Sequence, residues 1–312
     1  MLKIYKTNNG VLNELKTIEP NSWINVYEPT DKDIEKLSKS FNIEESELRS
    51  FLDEEEQSHI EVEDNYKLIV LDIPAIEKNE NFNLRITIPL IIIIVEDDYI
   101  ITMCNKKNSI TQEFINNKVK NFYTDKKSRF TMQIIFKVAS QYIRDLKKIN
   151  EEVNESTKLL KKSTTNNNLI ELMHLQKSLV YFSTSLRSND VVLERIQKNP
   201  AIKLYDDDVD VLEEAMIENK QAIEMSTVYS SILTSTIEIF GNIISNNLNT
   251  IMKFLAGFTI VISIPTIVAS FMGMNVPLGI FTTYKYSFII VFIISIVISL
   301  IAAIILKRKN ML

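Results

Sequence analysis

The stretch FLAGFTIVISIPTIVASFMGMN, residues 254–275, contains no charged side chain. After a short loop, a second apolar run at residues 286–306 is also uncharged between Lys285 and Lys307. Each run has roughly 20 residues, about 30 Å as a helix, which matches the hydrocarbon core of a bilayer. A helix of this length in a soluble core normally carries a charged face, and neither run does. We therefore predict two transmembrane helices.

Hydroxyl residues recur along the first run at steps of four, three and four, which places them on one face of a helix. The same face reaches back to Ala256 and beyond it. Small hydroxyl residues also allow tight packing between membrane helices, so the pattern leaves a packing role and a water-lined path open. A single helix cannot enclose a pore, so a water-facing stripe requires several copies around an axis. The candidate pore-lining residues are Asn249, Met252, Leu255, Thr259, Ser263, Thr266 and Ser270.

The first run ends with Gly273, Met274 and Asn275, and a short loop, the second run and a basic tail follow. This arrangement resembles the GMN signature of CorA-type magnesium transporters, which are divalent cation channels with two transmembrane helices. Residues upstream also fit the family pattern, so the resemblance covers essentially the whole chain. They are Tyr181, Phe182, Leu186, Arg187, Asn189, Asn249, Met252 and Lys253. Met272 departs from the aromatic residue that usually precedes GMN, and the loop at 276–284 lacks the acidic residue of many members.

The resemblance implies a funnel-shaped homo-oligomer, namely a pentamer, whose partners are identical subunits, the lipid bilayer and divalent cations. The corresponding segments are a cytosolic α/β domain (1–125), an antiparallel hairpin of long helices (126–204), the cytosolic part of a stalk helix (205–250), a pore-lining first transmembrane helix ending in GMN (251–275), an outer loop (276–285), a second transmembrane helix (286–306) and a basic cytosolic tail (307–312).

Runs rich in β-branched and aromatic residues fill the N-terminal part of the chain. Strands are predicted to start at Ile4 and to occupy Trp23–Tyr27, Tyr66–Ile73, Thr87–Val95 and Tyr99–Met103. The run IIIIV at 91–95 is too short to cross a bilayer and predicts a central buried strand. The acidic residues 96–98 predict a hairpin turn, with a metal site as the alternative. Helices are expected over Thr30–Phe41, with an N-terminal cap, and over Glu44–Leu52. These elements predict an α/β domain with a mixed sheet.

Helical periodicity begins near Phe130 and gives two long helices joined by a polar turn. These elements are Phe130–Leu160, the turn KKSTTNNN at 161–168, Leu169–Gln197 and a break at Asn199-Pro200. A third helix begins near Asp206 and meets no proline before Pro265, so a continuous helix would exceed about sixty residues and about 90 Å. A proline within a membrane span frees a carbonyl, which is tolerated if neighbouring groups or pore water satisfy it.

The N-terminal part of the chain is acidic. The chain has 35 basic and 40 acidic residues. Residues 251–312 hold five basic and no acidic residues, which leaves 30 basic and 40 acidic residues, a net charge of −10, in residues 1–250. Phosphate binding requires a basic face, so nucleic acid is not an expected partner. The single Cys104 excludes an internal disulfide and is expected to end a strand. No catalytic triad or phosphate-binding loop stands out in the sequence, so we expect no enzyme activity.

Mg²⁺ sheds water slowly and prefers oxygen ligands. A ring of Asn275 amide oxygens would hold a hydrated ion without binding it too tightly, and Gly273 would allow close backbone approach. Both residue types also favour helix ends, so the residues alone leave a helix-terminating role open. The resemblance implies a selectivity filter at residues 273–275. It also implies that Mg²⁺ is transported and regulatory, with Co²⁺ or Ni²⁺ as further cargo. The alternatives are a transporter of Zn²⁺ or another transition metal with the same fold and a non-conducting sensor or scaffold.

The resemblance also implies regulatory Mg²⁺ sites between neighbouring cytosolic domains, where the bound ion closes the pore. The matching positions are Glu77, Glu213 and Glu214. The nearby aspartates 206–208 have an alternative explanation, because acidic residues at a helix N-terminus are stabilised by the helix dipole.

Basic residues predict the orientation in the membrane. Lys253 precedes the first span, and Lys307, Arg308 and Lys309 follow the second, whereas the loop between the spans holds only Lys285. Because cytoplasmic flanks carry the excess of basic residues, both termini are expected to be cytoplasmic. The resemblance implies the plasma membrane as the location.

Overall fold

A computed structural model of the chain describes residues 1–8, 10–53, 56–78, 83–162, 166–198, 203–274 and 285–311. The chain forms two units, Met1–Thr236 and Ile237–Leu312. The first unit contains one seven-stranded sheet and the helices that pack on it. The second unit contains the apolar helical segments of the C-terminal part.

The sheet is mixed, as predicted. Its strands are β1 (Leu2–Asn8), β2 (Val11–Leu15), β3 (Trp23–Tyr27), β4 (His59–Val62), β5 (Tyr66–Lys78), β6 (Asn83–Val95) and β7 (Tyr99–Cys104). Their order is β2-β1-β3-β7-β6-β5-β4. Only β3 and β7 are parallel, and the other neighbouring strands are antiparallel. The IIIIV run lies in β6, inside the sheet, and residues 91–95 are all buried, which confirms the central strand.

Two strands are longer than predicted, because β5 and β6 pair with each other from Tyr66 opposite Val95 to Lys78 opposite Asn83. The acidic hairpin turn before β7 is confirmed, since residues 96 and 97 have φ values of 49° and 54°, as tight hairpin loops require. The sequence does not predict β2 or β4. Each is a short edge strand with polar residues, and its pairing with the neighbouring strand is what defines it.

The helices are α1 (Asp31–Phe41), α2 (Glu45–Ser50), α3 (Ser109–Ile115), α4 (Lys127–Lys162), α5 (Asn166–Lys198), α6 (Asp206–Met272) and α7 (Ser287–Arg308). The predicted cap of α1 is present. Thr30 Oγ1 accepts the Asp33 N–H at 3.3 Å, and the Asp33 carboxylate accepts the Thr30 N–H at 3.0 Å. α6 has 67 residues, which confirms the long third helix. α3 is not predicted, although Asn108 caps it by accepting the Thr111 N–H at 2.9 Å.

The polar turn between α4 and α5 is shorter than predicted. α4 continues through Lys162 and α5 begins at Asn166, so most of the segment 161–168 is helical. Lys is a good helix former and Asn is favoured at helix N-termini, so these polar residues extend the helices instead of ending them. The predicted break at Asn199-Pro200 lies outside the described residues.

Apolar residues cover both faces of the sheet. On one face, Leu37 of α1 and Leu48 of α2 share a core with alternate residues of the central strands. On the other face, the fully buried Trp23 lies among aromatic rings, with centroids 5.0–6.4 Å from its own. These rings belong to Phe114, Phe122 and Phe130. The domain is therefore held together by one sheet between two apolar layers.

Asn189 of α5 holds the middle of β5. Its Oδ1 accepts the Asp72 N–H at 2.9 Å, and its Nδ2 donates to the Asp72 carbonyl at 2.8 Å. The Tyr142 hydroxyl donates to the same carbonyl at 3.1 Å. Burial raises the pKa of the Asp72 carboxyl above its ordinary value, and hydrogen bonds from Ser185 and Ser58 oppose the increase. Among the described residues, no basic side chain forms an ion pair with Asp72 to stabilise its charge.

We expect Asp72→Asn to raise the melting temperature of the protein at neutral pH. A carboxyl whose pKa is raised by folding stabilises the fold fully below its unfolded pKa, and this contribution is lost as the pH rises through the folded pKa. The gain from the neutral amide should therefore disappear under acidic conditions. Thermal unfolding between about pH 4 and pH 8 measures this. Asp97→Asn, at an exposed turn, is the control, and a gain independent of pH would contradict the assignment.

Candidate functional site

Two helices, α6 and α7, contain segments long and apolar enough to cross a membrane. In these segments only 6% of the α6 residues and 11% of the α7 residues are buried. Helices in a soluble core would be mostly buried, and so large an exposed apolar surface is unfavourable in water. The spans predicted at 251–275 and 286–306 therefore overlap α6, which ends at Met272, and α7, which begins at Ser287. The surroundings of these apolar segments must be largely apolar.

Helix α7 contacts α6 at Ser299, whose hydroxyl donates to the Val261 carbonyl of α6 at 3.3 Å. Ser295, one turn earlier on α7, is buried at 4% exposure. On α6, the residues around Val261 on the same side, Gly257 among them, are less exposed than their neighbours. Small residues let two membrane helices approach closely. This contact therefore identifies the side of α6 that faces α7.

The hydroxyl stripe lies on the opposite side of α6. Each residue of an α-helix turns the chain by about 100°. Thr259 and Ser263 stand two residues before and after Val261, so each lies about 160° from it around the helix. Thr266 and Ser270, five and nine residues after Val261, lie about 140° and 180° from it. These hydroxyls therefore do not face α7, which leaves packing against another copy of the chain and a water-lined path as their two explanations.

The hydroxyls of the stripe donate their protons to carbonyls of their own helix. The Thr259 and Ser263 hydroxyls donate to the carbonyls four residues earlier at 2.8 Å, and Thr266 does so at 3.2 Å. A hydroxyl that donates in this way keeps its lone pairs free to accept other hydrogen bonds. The stripe therefore presents uncharged oxygen acceptors, which suit the donor protons of water around a cation.

The remaining candidate pore residues also lie on α6. Asn249, Met252 and Leu255 are exposed, on the N-terminal side of the hydroxyls. α6 ends at Met272, and the Gly273 N–H donates to the Ala269 and Ser270 carbonyls at 3.0 and 3.2 Å. The structure thus places the seven candidate pore residues on one continuous helix. Residue 273 is the first residue after that helix.

Gly273 is not required by the geometry of its own chain. Its φ is not among the positive values found in the described residues, and an added Cβ would meet its nearest atom, the Ser270 carbonyl oxygen, at 3.5 Å. That distance is an ordinary contact. Met274 is exposed, whereas Asn275 lies outside the residues that the structure describes. Among the described residues, nothing therefore forbids a side chain at position 273, and the position of Gly273 directly after α6 also fits a helix-terminating role.

The three candidate regulatory glutamates are exposed. Glu77 lies near the end of β5, and Glu213 and Glu214 lie in the first part of α6. In the described part of the chain, no group of three or more acidic, His or Cys residues is arranged to hold a metal ion. The three glutamates therefore do not form a complete site within one chain.

Asp208, one of the nearby aspartates, has a structural role. It is 3% exposed, accepts the Ser128 hydroxyl at 2.6 Å and accepts the Tyr205 N–H at 3.3 Å. Arg129 lies 3.8 Å from its carboxylate. The helix-terminus explanation therefore holds for Asp208.

Sequence reasoning did not identify Ser299 of α7 as a partner of α6. The signal was present, because residues 287, 295 and 299 are serines separated by multiples of four within an otherwise bulky apolar run. Their spacing places them on one face of α7, but spacing alone does not name the helix that this face contacts.

An α/β unit followed by two exposed apolar helices is the organisation expected of a membrane protein. Residues 19–308 match the sequence model of the family described as CorA-like Mg²⁺ transporter protein. The chain therefore belongs to this family, a class of divalent cation transporters, as the GMN resemblance predicts.

Individual relatives agree with this assignment. The chain is 26% identical over 257 residues to the cobalt/magnesium transport protein CorA of Methanocaldococcus jannaschii, covering 81% of this chain and 79% of that protein. The complete structure of the CorA magnesium transporter from the same organism superposes with a TM-score of 0.84 at 24% identity, over 100% and 99% of the two chains. The ZntB cytoplasmic domain of Vibrio parahaemolyticus shares the fold, with a TM-score of 0.59 at 14% identity, over 79% and 97% of the chains.

Cysteine labelling tests which side of α6 faces water. We expect Ser263→Cys and Thr266→Cys to react with a charged, membrane-impermeant thiol reagent, because water ionises thiols on that side. Ile301→Cys, on the exposed side of α7, and Ser295→Cys, against α6, should stay unmodified. The native Cys104 is buried, and burial raises its pKa to about 11, so it should not interfere. Equal labelling at positions 263 and 301 would contradict this orientation of α6.

Proposed function

We propose that the protein is a homo-oligomeric channel, a pentamer, that carries Mg²⁺ into the cell across the plasma membrane through a pore lined by α6. The observation that carries the proposal is the position of the hydroxyl stripe on the side of α6 opposite α7. In the described part of the second unit, no other helix of the chain is available to cover that side. Copies arranged around an axis with their stripes inward would enclose a water-filled path.

The chemistry of the stripe supports a hydrated divalent cation as the cargo. Mg²⁺ keeps several of its waters, and neutral oxygen acceptors can bind those waters without trapping the ion. The candidate pore residues include no Cys or His, the ligands that softer metals prefer. We therefore propose Mg²⁺ as the main ion, with Co²⁺ or Ni²⁺ as further cargo.

We assign the selectivity filter to Gly273, Met274 and Asn275. Gly273 is the first residue after α6, and its own chain does not require a residue without a side chain there. Close approach of neighbouring copies around the axis gives a reason for glycine at this position. Asn275 would then supply amide oxygens to the waters of the ion at the outer mouth. The basic residues flanking the spans support this orientation, with both termini in the cytoplasm.

We further propose that intracellular Mg²⁺ closes the pore by binding between neighbouring subunits. The exposed carboxylates of Glu77, Glu213 and Glu214 are accessible to a second copy, and the acidic N-terminal part of the chain attracts cations. An ion bridging two subunits would favour one arrangement of the ring over others, which is how a ligand shifts a conformational equilibrium.

Ion flux into proteoliposomes tests the channel and the filter together. We expect the purified protein to admit Mg²⁺ under an inside-negative potential and Asn275→Ala to lose most of that flux. Asn310→Ala, in the basic tail, is the matched control and should conduct normally. Equal flux in wild type and Asn275→Ala would remove Asn275 from the filter. If the folded oligomer admits none of Mg²⁺, Co²⁺ and Zn²⁺, the result would support a non-conducting sensor instead.

The regulatory glutamates are tested by the dependence of the flux on internal Mg²⁺. We expect the combined change Glu77→Gln, Glu213→Gln and Glu214→Gln to shift inhibition to higher internal Mg²⁺, because three carboxylate ligands are lost. Glu224→Gln, an exposed glutamate on the same helix, should leave the inhibition curve unchanged. A triple variant with the wild-type curve would exclude these residues from the regulatory site.

A further inference from the structure

Pro265 interrupts the backbone hydrogen bonds of α6, although the helix continues on both sides of it. Proline has no N–H, so the carbonyl four residues earlier, that of Val261, loses its helical donor. This carbonyl lies within the apolar segment of α6. Hydrocarbon supplies no water to replace the lost donor, so the carbonyl needs a partner from the protein.

Ser299 of α7 provides that partner. Its hydroxyl donates to the Val261 carbonyl with an oxygen–oxygen distance of 3.3 Å, and both residues are partly buried. Ser295, one turn earlier on the same face, behaves differently, since it donates to the Phe292 carbonyl of its own helix at 2.8 Å. A position on this face of α7 is therefore not enough for a serine to form a hydrogen bond with α6. The one that does lies opposite the carbonyl that Pro265 leaves free.

We propose that Ser299 is a positioning residue for ion conduction. It replaces, from α7, the backbone hydrogen bond that Pro265 cannot make, and it thereby sets the direction of α6 beyond the proline. That part of α6 carries Thr266 and Ser270 and leads into residues 273–275. The inference rests on the proposed channel function.

The physical basis is the bending of helices at proline. With one hydrogen bond missing, the two parts of α6 are joined more weakly at Pro265, and helices bend at such points. A donor from α7 restrains the bend from the side opposite the hydroxyl stripe. The distance of 3.3 Å exceeds the usual 2.7–2.8 Å of O–H···O bonds, so this hydrogen bond is a weak one. Ser299 therefore couples the packing of α7 to the positions of Thr266 and Ser270, which follow the proline on α6.

A double-mutant cycle on the full-length protein in proteoliposomes separates this role from packing. Ser299→Ala removes the donor, whereas Pro265→Ala returns an N–H to the Val261 carbonyl. We expect Ser299→Ala to change the Mg²⁺ flux by roughly threefold, the effect of a typical hydrogen bond between membrane helices. In the Pro265→Ala background, Ser299→Ala should leave the Mg²⁺ flux unchanged. Ser299→Thr, which keeps a hydroxyl, should restore wild-type flux, and Ser295→Ala should leave it unchanged.

The outcomes distinguish the inference from the channel proposal. If wild type conducts and Ser299→Ala has the same effect in the wild-type and Pro265→Ala backgrounds, Ser299 acts through packing and the inference is wrong. If wild type conducts nothing, the channel proposal fails. The melting temperatures of the same four proteins in detergent then test the hydrogen bond instead. A melting temperature lowered by Ser299→Ala only when Pro265 is present would then support the hydrogen bond, and equal lowering in both backgrounds would overturn it.

Discussion

The contact between α7 and one side of α6 constrains the rest of the membrane part. α6 is uncharged along its apolar segment, yet its two sides differ, because one meets the small residues of α7 and the other carries hydroxyls. A hydroxyl stripe turned toward lipid gains nothing from its free lone pairs. The same stripe turned toward water or toward other copies uses them. The α6 surface therefore supports the proposed self-association of the chain.

Several parts of the fold can be predicted from local patterns in the sequence. The β-branched run at 91–95 predicts a buried strand because only an interior position covers both of its faces. Thr30 followed by Asp31 predicts a helix start because a threonine side chain can accept a free backbone N–H there, and in the structure that N–H is the one of Asp33. β2 and β4 do not follow, since a short polar edge strand is defined by the neighbour it pairs with, and that information is not local.

The membrane site shows the same division. The period of 3.6 residues places the hydroxyls on one face of α6, and this much can be read from spacing alone. Which face meets α7 cannot, because Ser299 and Val261 are 38 residues apart and no local pattern links them. The two explanations of Gly273 also cannot be separated by sequence. A helix end and a close approach of another molecule both agree with a glycine that directly follows α6 and whose added Cβ would make only ordinary contacts.

Every backbone carbonyl in hydrocarbon needs a donor, and Pro265 leaves the Val261 carbonyl of α6 without its helical one. Side-chain hydroxyls at 259, 263 and 266 donate to carbonyls of their own helix, and the hydroxyl at 299 donates to the one that proline frees. The donors thus point toward the protein, and the acceptor lone pairs remain on the open side. A path lined in this way accepts hydrogen bonds from the water around a cation and carries no charge that would hold the ion. The Ser299 hydroxyl therefore accounts for the carbonyl that Pro265 frees, and the hydroxyls at 259, 263 and 266 separately leave acceptor lone pairs on the open face.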